Sequence, residues 1–129
     1  MSIVGSAYHN QYLTMQYACI NGITTTGITP VVAYSIAVPQ NKLYRITVDV
    51  HSYKSDFSQS NTGQVQGSFI RGTGNVAKDG SLIKNLIGAL STTIVDLVAN
   101  TSTQSVDITL TPILGTIVWN LGINIISNT

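Results

Sequence analysis

The side chains that could carry acid–base, nucleophilic or metal chemistry are few and scattered. The chain has 2 His and 1 Cys, and all 5 of its acids are Asp. His9 and His51 lie far apart in sequence, and neither has ligand-like neighbours. Zinc and Walker-type spacings are absent, as is a GxSxG elbow. Gly72-Thr73-Gly74 starts like a dinucleotide fingerprint but lacks the third glycine and a βαβ setting. Asp79-Gly80-Ser81 is too short for a calcium loop, although five dispersed aspartates could gather one Ca²⁺ or Mg²⁺ site with backbone carbonyls. Asp49, Asp96 and Asp107 fall in strand-like stretches, so a carboxylate pair facing across a sugar is geometrically open. Aspartates that alternate with apolar residues along a strand more commonly point to solvent. Cys19 with either histidine could form a nucleophile pair. A lone cysteine among small residues reads instead as a buried hydrophobe. The expectation is a non-enzymatic protein with no catalytic residue, metal site or cofactor.

Recognition is the better use of the polar residues present. The stretch 52–63, SYKSDFSQSNTG, reads as a polar loop of about a dozen residues, with Tyr53 and Phe57 set among Ser, Asp and Gln. Loops carry binding more often than scaffolds do. Tyr53, Asp56 and Phe57 are therefore candidate contacts that could stack on or hydrogen-bond to a sugar. Lys78 and Asp79, in the turn 72–81, could add charge-assisted bonds. The competing reading folds both rings back over the edge of the core.

The elements that must hold these loops are strands. Residues 42–51, KLYRITVDVH, place Tyr44, Ile46, Val48 and Val50 on one parity, the pattern of a half-buried antiparallel strand. A helix would spread them around its cylinder. Residues 31–38 form an apolar run bracketed by Pro30 and Pro39, which suits a strand. Further strands are expected at 64–71, 92–98, 104–111 and 116–126, with 82–87 either a strand or one helical turn. Residues 93–110 read as a hairpin. Lys78-Asp79-Gly80-Ser81 reads as a hairpin tip, because Asp-Gly favours a type I′ turn. Gly67 marks a bulge or a close approach. Trp119, the only tryptophan, is expected in the core or a subunit interface. Before residue 31 the pattern is irregular. Met15–Ile20 permits one short strand, while Gly22, Gly27 and Thr24-Thr25-Thr26 read as loop. This stretch, 1–30, is expected as an arm that forms a first strand or packs on a neighbouring subunit, and 31–129 as the folded domain. Turn signals every 8–12 residues indicate an all-β, antiparallel sandwich or barrel.

Composition narrows the partners. Only 9% of the 129 residues are charged and the formal net charge is +1, so polarity comes from Ser, Thr, Asn and Gln. The six cations form no basic stripe, which argues against nucleic acid. No apolar run is long enough to span a membrane, and the first ten residues lack a signal-peptide pattern. Charged surface normally keeps small domains apart. A chain this poor in charge points to surface hidden against copies of itself.

Several segments in their order carry a resemblance. Val38-Pro39-Gln40-Asn41 leads into Tyr44-Arg45-Ile46-Thr47-Val48. Gly67-Ser68-Phe69-Ile70-Arg71-Gly72 is followed by a glycine turn and an apolar segment from Leu82 to Gly88. The end has Val106-Asp107-Ile108-Thr109-Leu110, then Gly115-Thr116-Ile117-Val118-Trp119 and an alternating last strand. Over residues 38–126 this order resembles the β-sandwich head domains at the tips of bacteriophage tail fibres and tailspikes. The resemblance implies a jelly-roll-like sandwich in a homotrimer, located in the virion. It implies attachment to host-surface glycan or protein and contact with other virion proteins, and it carries no catalytic residues. Tyr44, Ile46, Val48 and Trp119 would serve core or interface. A carbohydrate-binding module or lectin, and a capsid or sheath subunit, are the competing functions.

Overall fold

The computed structural model describes residues 13–90, 94–113 and 115–128. Among these, the chain forms nine β-strands and no helix: β1 Leu13–Thr26, β2 Val31–Ala37, β3 Lys42–Lys54, β4 Ser60–Arg71, β5 Ala77–Lys78, β6 Ile83–Ile87, β7 Ile94–Asn100, β8 Ser105–Thr111 and β9 Thr116–Asn128. Every pairing is antiparallel. The larger sheet runs β1-β9-β3-β4, with β5 and β6 both on the outer side of β4, and the smaller sheet runs β2-β8-β7.

Period-two alternation explains the long strands. On β3, Tyr44, Ile46, Val48, Val50 and Ser52 are buried, while Leu43, Arg45, Asp49 and His51 are exposed. On β9, Ile117, Trp119, Leu121, Ile123 and Ile125 are buried. Side chains that alternate in this way can reach one core only from an extended backbone. The buried faces of the two sheets meet in that core, where Ile36, Val106, Ile108 and Leu110 of the smaller sheet join β3 and β9. Burial in this layer pushes the Tyr44 hydroxyl above its ordinary pKa.

Several local expectations need correction. Strand β1 is long, and Thr24–Thr26, read as loop, are its last residues, paired with Val118, Ile117 and Thr116. Gly22 is not a loop end but a bulge, where the register shifts between Asn21 and Ile23. The threonines pair there because β9 offers a full-length partner, and tertiary context outweighs local composition. Cys19 is exposed rather than buried, since its parity places it opposite Ala18 and Ile20. The loop after β3 is shorter than 52–63, because both hairpin arms continue through Lys54 and from Ser60. Lys78–Ser81 is not a hairpin tip. The chain reverses at 72–76, and β5 and β6 are two pieces of one edge, both antiparallel to β4, with 79–82 as the break between them. At Gly67 the second alternative applies: a Cβ there would collide with the Leu82 side chain, so the glycine marks a close approach. His9, Tyr8 and Tyr12 lie outside the described residues.

Trp119 closes the core at the end nearest the β3–β4 turn. Its indole Nε1–H donates to Thr25 Oγ1 at 2.8 Å, with both residues buried, so the last strand is tied to the first. Beneath the same end, Leu90 is fully buried and its backbone N–H donates to the Ser60 carbonyl. Gly88, at a φ of 115°, permits that tuck, since a Cβ would collide with the same carbonyl. Two variants separate packing from hydrogen bonding here. Trp119→Ala should cost about 3–5 kcal/mol in urea unfolding. Thr25→Val, which keeps the shape and strands the indole N–H, should cost about 1–3 kcal/mol.

Candidate functional site

The hairpin β3–β4 ends in a five-residue loop, 55–59. The Lys54 carbonyl accepts from the Phe57 N–H at 2.8 Å, and the Lys54 N–H donates to the Gln59 carbonyl at 3.0 Å. This is a β-turn followed by a residue in the left-handed region, with Phe57 at a φ of 61°. That position in such hairpins normally takes glycine. A residue with a Cβ is destabilised there by about 1–2 kcal/mol. The benefit of placing a ring there is visible. Phe57 stacks on Tyr53 with centroids 4.6 Å apart and planes inclined by 11°. Tyr53 is half-buried against the sheet, while Phe57 is 76% exposed. The rings therefore neither fold into the core nor hang free. They form a braced platform with one open face, where the electron-rich ring can meet the C–H face of a sugar.

Asp56 shapes the turn. Its Oδ1 accepts from the Ser58 N–H at 2.9 Å. The Ser58 hydroxyl first, and its N–H second, hold the Asp56 carboxyl below the ordinary carboxylate range. The carboxylate thus braces the loop.

The platform adjoins a groove on the outer face of the larger sheet. Strand register aligns Cys19, Gly122, Asp49 and Gln64 in one row across β1, β9, β3 and β4, and Asn21, Asn120, His51 and Thr62 in the next. Gly122 has no side chain, so the middle of the row sinks into an open groove of about 450 Å³. Its polar rim is Asn21, Asp49, His51, Gln64 and Asn120. Gln64 Nε2 donates to Asp49 Oδ1 at 2.8 Å, which leaves the second carboxylate oxygen facing the groove. Asn120 spans the groove's end: its Oδ1 accepts from the Gly22 N–H at 3.0 Å, and its Nδ2 donates to the His51 carbonyl at 3.4 Å. Tyr53, His51 and Asp49 follow one another on the same face of β3, about 7 Å per step. Ring platform and polar groove are thus one continuous surface.

Sequence reasoning pointed to Tyr53, Asp56 and Phe57, and these come together. Lys78 and Asp79 do not join them. They pair beside Phe69 and Ser68, at the far end of β4 from Ser60. Nine residues of strand, about 30 Å, separate the two places. The groove residues carry no contiguous motif, because they come from four strands. The one local signal is Gly122 on the outward parity of an otherwise side-chain-bearing strand. The remaining carboxylates are elsewhere. Asp96 pairs with Lys84 at 3.4 Å, and Asp107 accepts from Ser35 at 2.7 Å and Asn100 at 3.0 Å, both on the outer face of the smaller sheet. Among the described residues, no three His, Cys, Asp or Glu side chains gather as a metal site.

The turn geometry orders two variants. Phe57→Gly should be more stable than Phe57→Ala by about 1 kcal/mol in urea unfolding, because only glycine is relaxed at this φ. The pH dependence has a definite sign. Asp56 has a depressed folded-state pKa, so its brace persists at neutral pH and above the unfolded-state value. It is lost as pH falls through the folded-state value. The Ser58 amide resonance should therefore titrate with its midpoint below that of an unperturbed aspartate.

No protein-family model and no curated protein matches this sequence. Among solved structures, the chain is similar to the tailspike protein of Acinetobacter baumannii phage AM24, with a TM-score of 0.51 and 7% identity over 90% of this chain. The match covers 26% of the tailspike, so the chain spans about a quarter of that protein's length. At this identity the likeness is one of fold.

Proposed function

We propose that this chain is a non-enzymatic attachment domain of a phage tail fibre or tailspike. In this reading it is a jelly-roll-like β-sandwich that assembles as a homotrimer in the virion and binds saccharide on the host surface. The observation that carries the reading is Phe57. A bulky ring occupies a backbone position suited to glycine, stacked on Tyr53 and open to solvent. Strain of this kind concentrates where a side chain must be presented. The neighbouring groove supplies what a ring platform lacks, namely directional donors and acceptors for hydroxyl groups. The fold-level likeness to a tailspike agrees with the setting. Winding is consistent as well: β1 pairs with β9 and β2 with β8, so the first two described strands return beside the last two. The non-enzymatic part of the reading rests on the carboxylates. Asp49 lies on the opposite outer face from Asp96 and Asp107, and each of the latter is held by its own partners.

Binding can be tested without disturbing the fold. A Cβ at Gly122 would sit 3.6 Å from Asp49 Cβ, an ordinary contact, and a branched residue suits a strand better than glycine does. Gly122→Val should thus fold with stability equal to or above that of the parent while filling the groove. On an array of bacterial capsular and O-antigen polysaccharides, the parent should bind at least one glycan. Gly122→Val and Tyr53→Ala/Phe57→Gly should each lose at least tenfold in affinity with solution mass unchanged. Equal binding by both variants would remove this surface from the attachment role.

A further inference from the structure

Charge is distributed unevenly over the molecule. Every Lys, Arg and Asp lies between Lys42 and Asp107, and residues 1–41 contain none of them. That uncharged stretch includes both β1 and β2. Strand β1 is one edge of the larger sheet and β2 one edge of the smaller, and the two lie side by side. Together they make one side wall of the two-layered domain. The opposite wall is built from β5, β6 and β7. It carries Lys78, Asp79, Lys84 and Asp96, and its two layers are bridged by the Lys84–Asp96 ion pair at 3.4 Å.

Soluble proteins guard open sheet edges with charges, above all lysine, because unpaired strand backbone recruits other strands. Among the described residues, one wall is guarded in that way and the other is not. The unguarded wall is also apolar. Ile28, in the link between β1 and β2, is 66% exposed and Val32 56%, with Val31 and Tyr34 exposed beside them. On the charged wall, Ile83, Ile87 and Val98 are exposed too, but they share it with the Lys84–Asp96 ion pair.

We infer that the β1–β2 wall is the surface through which copies of this chain associate. The occupant is a second copy rather than a foreign protein for two reasons. A wall without charge of either sign offers no electrostatic complementarity by which a foreign partner would be selected. About a three-fold axis, the β1 margin of the wall on one copy can meet the β2 margin on the next, so this one surface closes a ring of three. The dimensions suit the role. Fourteen residues of β1 span about 48 Å and seven of β2 about 24 Å, and two strips each about 10 Å wide give roughly 700 Å² per subunit. That is the size of a standard stable interface. This inference rests on the homo-oligomeric reading proposed above and adds the surface that makes the contact.

Light scattering behind size exclusion, over a tenfold concentration range, tests it with the full chain. The parent should have a mass of three chains of 13.7 kDa each. Ile28→Lys/Val32→Lys should fall to a single chain with an unchanged far-UV circular dichroism spectrum, while Ile83→Lys/Ile87→Lys on the opposite wall should keep the parent mass. Ile28→Lys alone, outside the strands, carries the same test if the double variant does not fold. A parent multimer that persists in both β1–β2 variants would overturn the assigned surface and leave the oligomeric reading standing. A parent of 13.7 kDa would overturn both.

Discussion

The register of β9 is the constraint on which the rest of the molecule depends. This strand is hydrogen-bonded on both sides, to β1 and to β3, along nearly its whole length. Its alternation sends Ile117, Trp119, Leu121, Ile123 and Ile125 inward. A slip of one residue would turn that entire set to solvent, so the register is strongly specified. The same choice sends Asn120 and Gly122 outward beside His51 and Asp49. Core and groove are therefore two faces of one decision. The groove needs no loop to shape it, because it is a missing side chain in the middle of a rigid sheet.

Support for the recognition surface differs along its length. Under the β3–β4 turn the interior is tightly tied. Trp119 holds Thr25, Leu90 fills the end of the core, and the Ser52 hydroxyl donates to the Asn61 carbonyl at 3.4 Å. Above that floor sits the strained turn with its two rings. Left-handed strain at a non-glycine residue persists only when its surroundings over-determine it. Here the determinants are the 54–57 turn bond, the Asp56 brace and the ring stack. The stack is worth about 0.5–1.5 kcal/mol, comparable with the strain it opposes. A ring fixed in this way loses little further freedom when a ligand lands on it.

Much of this could be read from the chain, and the failures have physical causes. The alternations along 42–51, 104–111 and 116–126 mark β3, β8 and β9, because each buries one parity only. The β1 strand was obscured by Gly22 and the threonine run, which look like loop until β9 is brought alongside. Asp79-Gly80 resembles a hairpin tip, yet the reversal occurs earlier, at 72–76. Gly80, at a φ of 84°, instead lets the edge break and resume on the same side of β4. Tyr53 and Phe57 were visible as aromatics in a polar loop. Their stacking was not, since it depends on the short turn that the extended hairpin arms create. The groove was least legible: Cys19, Asp49, Gln64 and Gly122 become neighbours only through cross-strand pairing.

The most direct test of the central claim, that rings and groove form one saccharide-binding surface, is a backbone NMR titration with a bacterial surface oligosaccharide that the array identifies. The account predicts shift changes confined to the β3–β4 turn and the outward positions of the larger sheet, with Phe57, His51, Asn120 and Gly122 moving at one common dissociation constant. Changes centred instead on the smaller sheet around Asp107, or on the 72–81 segment around Lys78, would contradict it.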